Sequence, residues 1–249
     1  MMEDKKYVGI KDAILFSIVF MMISLFARIF FWNSGAAWYY FSSIQRLIFG
    51  IIATYDYCQL YNINPIQVFS FMNWRPALLA GDRFLFLAIF YTITVCIGAE
   101  NIIGLTASLF ISHIILQQLT TGFYEEIVYR GLLLGGYFEQ DDPSWKIRLF
   151  YAFVSFIIFG SIHLIDGNWI TFLFTGSIGF SFAVIYLKSQ NILIPMIFHF
   201  TYDVIANLNY YIEYNPSELF KIMEKLLDPL VIVMFVLSLI ILLSKRDRA

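Results

Sequence analysis

Charged residues are scarce in this sequence. Asp, Glu, Lys and Arg make up 14% of its 249 residues, whereas hydrophobic residues make up 60%. Soluble domains carry roughly 25% charged residues, so this chain could not cover a water-facing surface. Its formal net charge of -2 also lacks the strong positive balance that nucleic-acid binding requires. The composition therefore predicts a polytopic membrane protein that lies in a lipid bilayer and does not bind nucleic acid.

Disulfide and metal signatures are missing as well. The two cysteines, Cys58 and Cys96, have no CxxC or CxxH neighbour, which argues against a disulfide scaffold and against a thiolate metal site. An HExxH pair, the stronger sign of a zinc peptidase, does not occur. No internal repeat or low-complexity tract divides the chain, so residues 1–249 are expected to form one membrane-embedded domain.

Long apolar runs are what the sequence does contain. A membrane-spanning helix needs roughly 20 mostly apolar residues, and the runs predict an all-α polytopic helical bundle with about eight transmembrane helices. The predicted spans are 13–31, 36–60, 83–99, 102–135, 148–165, 169–187, 191–209 and 229–244.

The fourth and seventh spans carry features that bear on their shape. The run 102–135 is longer than one crossing requires. It is either one long tilted helix or two helices that break after Thr120, Thr121 and Gly122. In the seventh span, Pro195 removes a backbone hydrogen bond and is expected to kink the helix.

Two connections are predicted to lie along the membrane surface. Residues 63–81 mix aromatic residues with prolines and are expected at the cytoplasmic face. Residues 215–227 begin with Asn215, Pro216 and Glu218, a pattern typical of a helix start. They are expected to form a short helix of their own on the outer surface.

The lysines and arginines outside the spans lie almost entirely at one end of them. Only Lys221 and Lys225 fall at the other end. The positive-inside rule therefore predicts a multi-pass protein of the cell membrane with both its N- and C-termini in the cytoplasm. The residues of the cytoplasmic end are Lys5, Lys6, Lys11, Arg75, Arg83, Lys146, Arg148, Lys188, Lys245, Arg246 and Arg248.

A few ionisable residues lie inside the predicted spans, where a charge costs at least ~2.5–3.5 kcal/mol. Glu126 and Arg130 are four residues apart, with the acid first, which suits an ion pair on one helix face. Glu125 points about 100° away from that pair and has no local partner. It either keeps a proton or faces a polar cavity with other groups, and the second alternative indicates function.

Other polar residues could share such a cavity. His163 lies on the fifth predicted span, and His199 and Asp203 lie four residues apart on one face of the seventh. A buried glutamate can deprotonate a water for attack on a peptide carbonyl. Imidazoles can hold that water, stabilise the oxyanion or bind a divalent metal such as zinc. Asp203 could orient a histidine or bind the metal directly.

One geometric difficulty accompanies this hypothesis. On a long fourth helix Glu125 lies roughly 35 Å from the start, at 1.5 Å per residue, and hence near the cytoplasmic end. His163 lies toward the outer end of its span. The two residues can meet only if the helices are tilted, offset or broken.

Three short motifs carry a family resemblance. EEIVYR (125–130) matches EExxxR, FGSIH (159–163) matches FxxxH, and HFTYD (199–203) matches HxxxN/D. In this order, in a chain of about eight spans, they resemble the CPBP family, also called the Abi family. That family comprises CAAX-processing proteases and bacteriocin-processing or immunity proteins. The resemblance covers about residues 100–210.

The resemblance implies an intramembrane endopeptidase in which Glu125 is the general base that activates water. His163 and His199 would bind the water, the oxyanion or a metal, and Asp203 would complete the site. Asp in place of the commoner Asn adds a negative charge there, which favours a cation. The implied metal ligands are Glu125, His163, His199 and Asp203, and the implied supporting residues are Glu126, Arg130 and Phe159.

Several functions remain open at this level. The substrate would be a peptide or membrane protein, with a prenylated CAAX protein, a peptide pheromone and a bacteriocin leader as alternatives. A non-catalytic membrane partner, for example of a sensor kinase or in bacteriocin immunity, could keep the same fold. Intramembrane acids and histidines also relay protons in transporters. The joint presence of Glu125, His163 and His199 favours the enzyme.

Overall fold

The computed structural model describes residues 2–31, 34–141, 143–164, 167–215 and 217–244, and for residues 2–6 the backbone alone. It is 83% helical, which confirms the all-α prediction. Some residues used in the sequence argument lie outside this description. They are Pro216, the C-terminal Lys245, Arg246 and Arg248, and the side chains of Lys5 and Lys6.

Eight long helices account for most of the described residues, and each overlaps one predicted span. A short helix, α3, lies between the second and third of them. The helices are α1 Met2–Phe31, α2 Ala36–Tyr61, α3 Pro65–Val68, α4 Trp74–Gly98, α5 over 107–135, α6 Trp145–Ile162, α7 Trp169–Ser189, α8 Leu193–Leu208 and α9 Glu218–Leu243.

Helix α5 is continuous, so the long-helix alternative is confirmed and the break after Gly122 does not occur. Two of its stretches, Phe110–Gln117 and Ile127–Leu132, have the wider turns of a π-helix. They alternate with α-helical stretches at Ala107–Leu109, Gln118–Glu126 and Leu133–Gly135. Such π segments inside helices occur frequently at functional sites.

The prediction of a separate short helix at 215–227 is wrong. Helix α9 begins at Glu218 and runs on through Pro229 to Leu243. Proline is tolerated inside helices of membrane proteins because neighbouring groups satisfy the freed carbonyl. The two expected elements are therefore one helix.

Two further expectations need correction because helices begin elsewhere than predicted. Helix α8 begins at Leu193, so Pro195 lies in its first turn, where the backbone N–H groups have no helical partner in any case. It therefore does not kink the helix. Helix α4 begins at Trp74, so the surface segment predicted at 63–81 is shorter than expected.

Five helices of the described chain are long and apolar enough to cross a membrane. They are Tyr7–Phe31, Trp74–Gly98, Trp145–Ile162, Trp169–Ser189 and Glu218–Leu243. Helix α8 is shorter, at 16 residues, and α2 and α5 carry more polar side chains. The multi-pass class is thus supported by five helices, and the three others differ from them in length or polarity.

A small antiparallel sheet, not predicted from the sequence, joins two connections of the bundle. Strand β1 (Ala99–Ile102) follows α4, and strand β2 (Ile212–Tyr214) lies between α8 and α9. Ile102 lies opposite Ile212 and Ala99 opposite Tyr214. The pairing brings the C-terminal ends of α4 and α8 to one end of the bundle, which we call the sheet end.

Helix α7 lies at the centre of the packing. In its most apolar window 67% of the residues are buried, compared with 11% in α1 and 22% in α9. Its glycines let α6 approach closely, since a Cβ added at Gly179 would lie 2.9 Å from the Cβ of Phe159. The small residues of the segment 175–181 thus serve helix packing, as their spacing predicts.

Helices α5 and α8 also meet closely, at Gly122. A Cβ added there would lie 3.1 Å from the carbonyl oxygen of Met196 and 3.4 Å from the backbone nitrogen of Phe200. Both neighbours are backbone atoms, which cannot rotate away. The absent side chain at Gly122 therefore lets α8 lie against α5.

The substitution Gly122→Ala is expected to destabilise the protein. The added methyl group presses on the backbone of α8, and overpacking of this kind costs about 1–3 kcal/mol. Thermal unfolding in detergent, followed by tryptophan fluorescence, should show a lower midpoint. Gly131→Ala is the matched control, because its Cβ would meet only side-chain atoms of Ile192 and Tyr57, at 3.3 Å. Equal midpoints for the two variants would contradict the close contact.

Candidate active site

A fully buried ion pair lies at the centre of the motif residues. The Nε atom of Arg130 lies 2.9 Å from Oε2 of Glu126, and both side chains are 0% exposed. The guanidinium carbon lies 5.0 Å from the ring centroid of Phe159 and 5.4 Å from that of Phe182. Such cation–π contacts stabilise a desolvated cation. Two phenyl rings and one carboxylate therefore accommodate the charge of Arg130.

Glu126 extends this pair to a histidine on another helix. Its Oε1 atom lies 2.9 Å from Nδ1 of His199. Because an ionised carboxylate only accepts hydrogen bonds, Nδ1 of His199 is the donor. Glu126 thus connects Arg130 on α5 with His199 on α8 and fixes the orientation of the imidazole ring.

The other ring nitrogen of His199 faces two more carboxylates. Nε2 lies 3.3 Å from Oδ2 of Asp203 and 3.8 Å from Oε2 of Glu125. The Oε2 atom of Glu125 is buried and has no hydrogen-bond partner among the described residues. Glu125 therefore has a carboxylate oxygen available to take a proton.

His163 comes directly after the last residue of α6. Its Nδ1 atom lies 2.8 Å from the backbone oxygen of Phe159. A carbonyl oxygen only accepts, so Nδ1 carries the proton, and Nε2 of the neutral ring is an acceptor. The ring of Phe159 lies 4.9 Å from the ring of His163 and 6.0 Å from that of His199. Phe159 thus contacts both histidines and Arg130.

The contact between Arg130 and Phe159 explains how Glu125 and His163 can lie at the same height in the bundle, although they were expected near opposite ends of their helices. Helix α5 runs away from the sheet end and α6 runs back toward it, and these two residues set their relative position. Glu125 lies five residues from Arg130 toward the sheet end, about 7.5 Å, and His163 lies four residues from Phe159 in the same direction, about 6 Å. The helices are offset, so Glu125 and His163 reach the same level without a break in α5.

A cavity of about 400 Å³ lies at this level, and Glu125 and His163 both line it. Its walls also include residues of α1 and α2, which lie outside the three motifs. Among them are two cations, Arg28 and Arg46. His199 and Asp203 are not among the residues that line this cavity. Arg46 is not among the predicted site residues, although a charged residue inside a predicted span is itself a signal of function.

The structure brings the predicted site residues together around α5. Among the described residues, however, no group of three or more His, Cys, Asp or Glu side chains has the arrangement of a metal site. The predicted metal ligands thus lie close to one another without forming a ligand set. The residues that come together are Glu125, Glu126, Arg130, Phe159, His163, His199 and Asp203.

Part of the chain matches a known family model. Residues 107–205 match the Rce1-like family, described as Type II CAAX prenyl endopeptidase Rce1-like. The match begins with α5 and ends within α8, so it contains all three motifs, and it confirms the resemblance that they carry. The family implies a protease. Comparisons with curated proteins and with solved structures find no match.

Removal of Arg130 is expected to destabilise the protein strongly. In Arg130→Met the carboxylate of Glu126 is left buried without its cation, and a broken buried pair costs about 3–5 kcal/mol. The double variant Glu126→Gln with Arg130→Met removes both charges and should recover part of this loss. Thermal unfolding in detergent measures both effects.

A partly exposed ion pair within α4, between Asp82 and Arg83, provides a control for this prediction. Arg83 lies next to Asp82, and its side chain is 30% exposed, so Arg83→Met should change stability by only about 0–1 kcal/mol. A midpoint for Arg130→Met equal to that of the control would show that the buried pair does not stabilise the fold.

Proposed function

We propose that this protein, whose residues 107–205 match the Rce1-like family, is an intramembrane endopeptidase that cleaves a peptide bond with a water activated by Glu125. The observation that carries the proposal is the position of Glu125. Its buried, unpartnered carboxylate oxygen belongs to a residue that lines a cavity together with His163. That combination provides a base and a place for substrate.

The proposed setting is a bundle that crosses the cell membrane eight times with both termini in the cytoplasm. If the eight long helices alternate in direction, the two connections that the sheet joins lie at the same face, in agreement with their pairing. The lysines and arginines concentrate at the opposite end, which the positive-inside rule places in the cytoplasm. The sheet end is therefore the outer end.

The proposed reaction consumes one water for each bond cleaved. Glu125 removes a proton from the water while its oxygen attacks the carbonyl carbon of the substrate, and the carbonyl oxygen becomes an oxyanion. The tetrahedral intermediate then collapses, and the carbon–nitrogen bond breaks. Glu125 returns the proton to the leaving nitrogen, so the products are a carboxylic acid and an amine, which ionise to a carboxylate and an ammonium group.

The neighbouring residues position the water and the base. The acceptor Nε2 of His163 can hold the second hydrogen of the water, which aligns its oxygen for attack. His199 lies 3.8 Å from Glu125 and is held in place by Glu126 at 2.9 Å. Arg130 fixes Glu126 in turn. We therefore assign catalysis to Glu125, His163, His199 and Asp203, and support to Glu126, Arg130 and Phe159.

The proposed substrate is a peptide or membrane-protein segment that reaches the cavity from the bilayer. The family description names CAAX prenyl endopeptidases, which makes a prenylated cysteine peptide the first choice. A bacteriocin or pheromone leader peptide is the second choice. Both substrates are extended chains with a scissile amide bond, and the proposed site residues could hydrolyse the amide of either one.

The substitution Glu125→Gln is expected to abolish cleavage. The amide keeps the shape of the side chain but cannot take a proton, and loss of a general base lowers rates by about 10²–10⁴-fold. Purified protein in detergent would be assayed with fluorogenic prenylated and unprenylated peptides. Glu100→Gln, an exposed change in β1, should cleave like wild type. Cleavage by Glu125→Gln at the wild-type rate would contradict the proposal and favour a non-catalytic role.

The same assay tests whether a metal takes part. Because the described residues do not form a three-ligand group, the proposed steps use side chains alone. A chelator such as 1,10-phenanthroline should then leave the rate unchanged, and the purified protein should contain no stoichiometric zinc. Loss of activity on chelation, restored by added zinc, would show that His163 and its neighbours bind a metal instead.

The proposed orientation predicts which end of the bundle is open to the outside. In a variant without Cys58 and Cys96, a new cysteine at position 100 in β1 should react with a membrane-impermeant maleimide on intact cells. A new cysteine at position 146, at the start of α6, should react only after the cells are opened. Both native residues are exposed. The reverse labelling pattern would place the termini outside.

A further inference from the structure

Hydrolysis of an amide requires a group that stabilises negative charge on the former carbonyl oxygen. That charge develops in the transition state, and a positioned donor aimed at it contributes about 10²–10³-fold to the rate. The inference that follows rests on the proposed function. The cavity must therefore contain a side chain that donates a hydrogen bond to this oxygen.

Few donors of the motif residues are open to the cavity. The guanidinium group of Arg130 is fully buried beside Glu126, and Arg130 is not among the residues that line the cavity. His163 donates through Nδ1 to the backbone oxygen of Phe159, so Nε2 of its neutral ring accepts. The two nitrogens of His199 face Glu126 at 2.9 Å and Asp203 at 3.3 Å. Glu125, like the other carboxylates, accepts hydrogen bonds when ionised. In this arrangement neither the histidines nor the carboxylates offer an uncommitted N–H to an oxyanion.

Arg46 on α2 lines the same cavity as Glu125 and His163. Its Nη1 atom lies 3.3 Å from the backbone oxygen of Ser42 and also contacts the Ser42 hydroxyl. Its guanidinium carbon lies 5.3 Å from the ring centroid of Phe20. These contacts hold the guanidinium group from two sides. Its Nε atom is buried and has no hydrogen-bond partner among the described residues.

The charge of Arg46 lies near the proposed base. Arg46 and Glu125 line the same cavity, and the guanidinium group interacts electrostatically with the carboxylates of Glu125 and Asp203. A guanidinium group stays charged and presents several N–H donors in a fixed plane. In a cavity shielded from water such a charge stabilises an anion far more than it would in solution.

We propose that Arg46 is a catalytic residue that donates a hydrogen bond, through its buried Nε–H, to the oxyanion of the tetrahedral intermediate. Ser42 and Phe20 are the residues that position it. Arg46 lies outside residues 107–205, so the reaction centre would include a helix that the family match does not cover. The side chain forms no covalent bond and transfers no proton.

The test compares Arg46→Gln and Arg46→Lys with wild type on one fluorogenic peptide, which carries farnesylcysteine four residues from its C-terminus. Arg46→Gln should lower kcat about 100-fold and change KM less than threefold. Arg46→Lys retains the charge and should recover part of kcat. Arg83→Gln, in the exposed pair of α4, is the matched control and should behave like wild type.

A binding measurement separates catalysis from a structural role. A peptide phosphinate of the same sequence carries a tetrahedral anion in place of the scissile amide. Arg46→Gln should bind this phosphinate about 100-fold more weakly than wild type does. The uncleaved amide peptide, measured in the Glu125→Gln background, should bind equally well with and without Arg46→Gln. Unfolding midpoints of all variants are recorded alongside.

Three results would overturn the inference. One is unchanged kcat and phosphinate binding in Arg46→Gln. Another is an equal loss of binding for phosphinate and amide peptides, which indicates a structural change. The third is a rise in KM that disappears when the peptide ends in an amide, which would assign Arg46 to the terminal carboxylate. If wild type cleaves no peptide at all, the proposed function fails and the inference fails with it.

Discussion

The buried ion pair of Glu126 and Arg130 is the interaction on which the rest of the site depends. An isolated charge inside an apolar bundle is expensive, and here each charge has the other at 2.9 Å. The same carboxylate holds His199, and the same guanidinium contacts Phe159, which in turn contacts His163. The pair therefore sets the relative positions of α5, α6 and α8, and Glu125 is placed between them as a consequence.

The polarity of the site is reflected in the helices that carry it. Of the eight long helices in the described chain, α2, α5 and α8 are the ones that do not have the length and apolar composition of a membrane span. They carry Arg46, Glu125 and His199 respectively. The more apolar helices α1, α4 and α9 expose many large hydrophobic side chains, as expected of a lipid-facing surface. Most of the polar site residues thus lie on the less apolar helices. His163, which follows the apolar helix α6 directly, is the exception.

Much of this arrangement follows from the sequence, because the bilayer leaves few choices. Backbone groups in lipid must be paired within helices, so apolar runs locate the helices well, and the Glu126–Arg130 pair follows from four-residue spacing.

The ends of the helices are harder to predict from the sequence. Pro195 predicted a kink that the structure does not have, because the residue lies in the first turn of α8. The last span was predicted to begin at residue 229, whereas α9 begins at Glu218. The positions of Glu125 and His163 along the bundle axis could not be predicted from the sequence either, because the contact between Arg130 and Phe159 sets them. The position of Arg46 depends in the same way on how α2 packs against α5.

The proposed reaction requires Glu125 and His163 to act on one water in one cavity. Residues that act as a unit have strongly non-additive effects on kcat, so a double-mutant cycle between Glu125→Gln and His163→Ala measures whether they do. The double variant is expected to be about as slow as Glu125→Gln alone. If the two losses multiply, the residues act independently, and a shared reaction centre is contradicted.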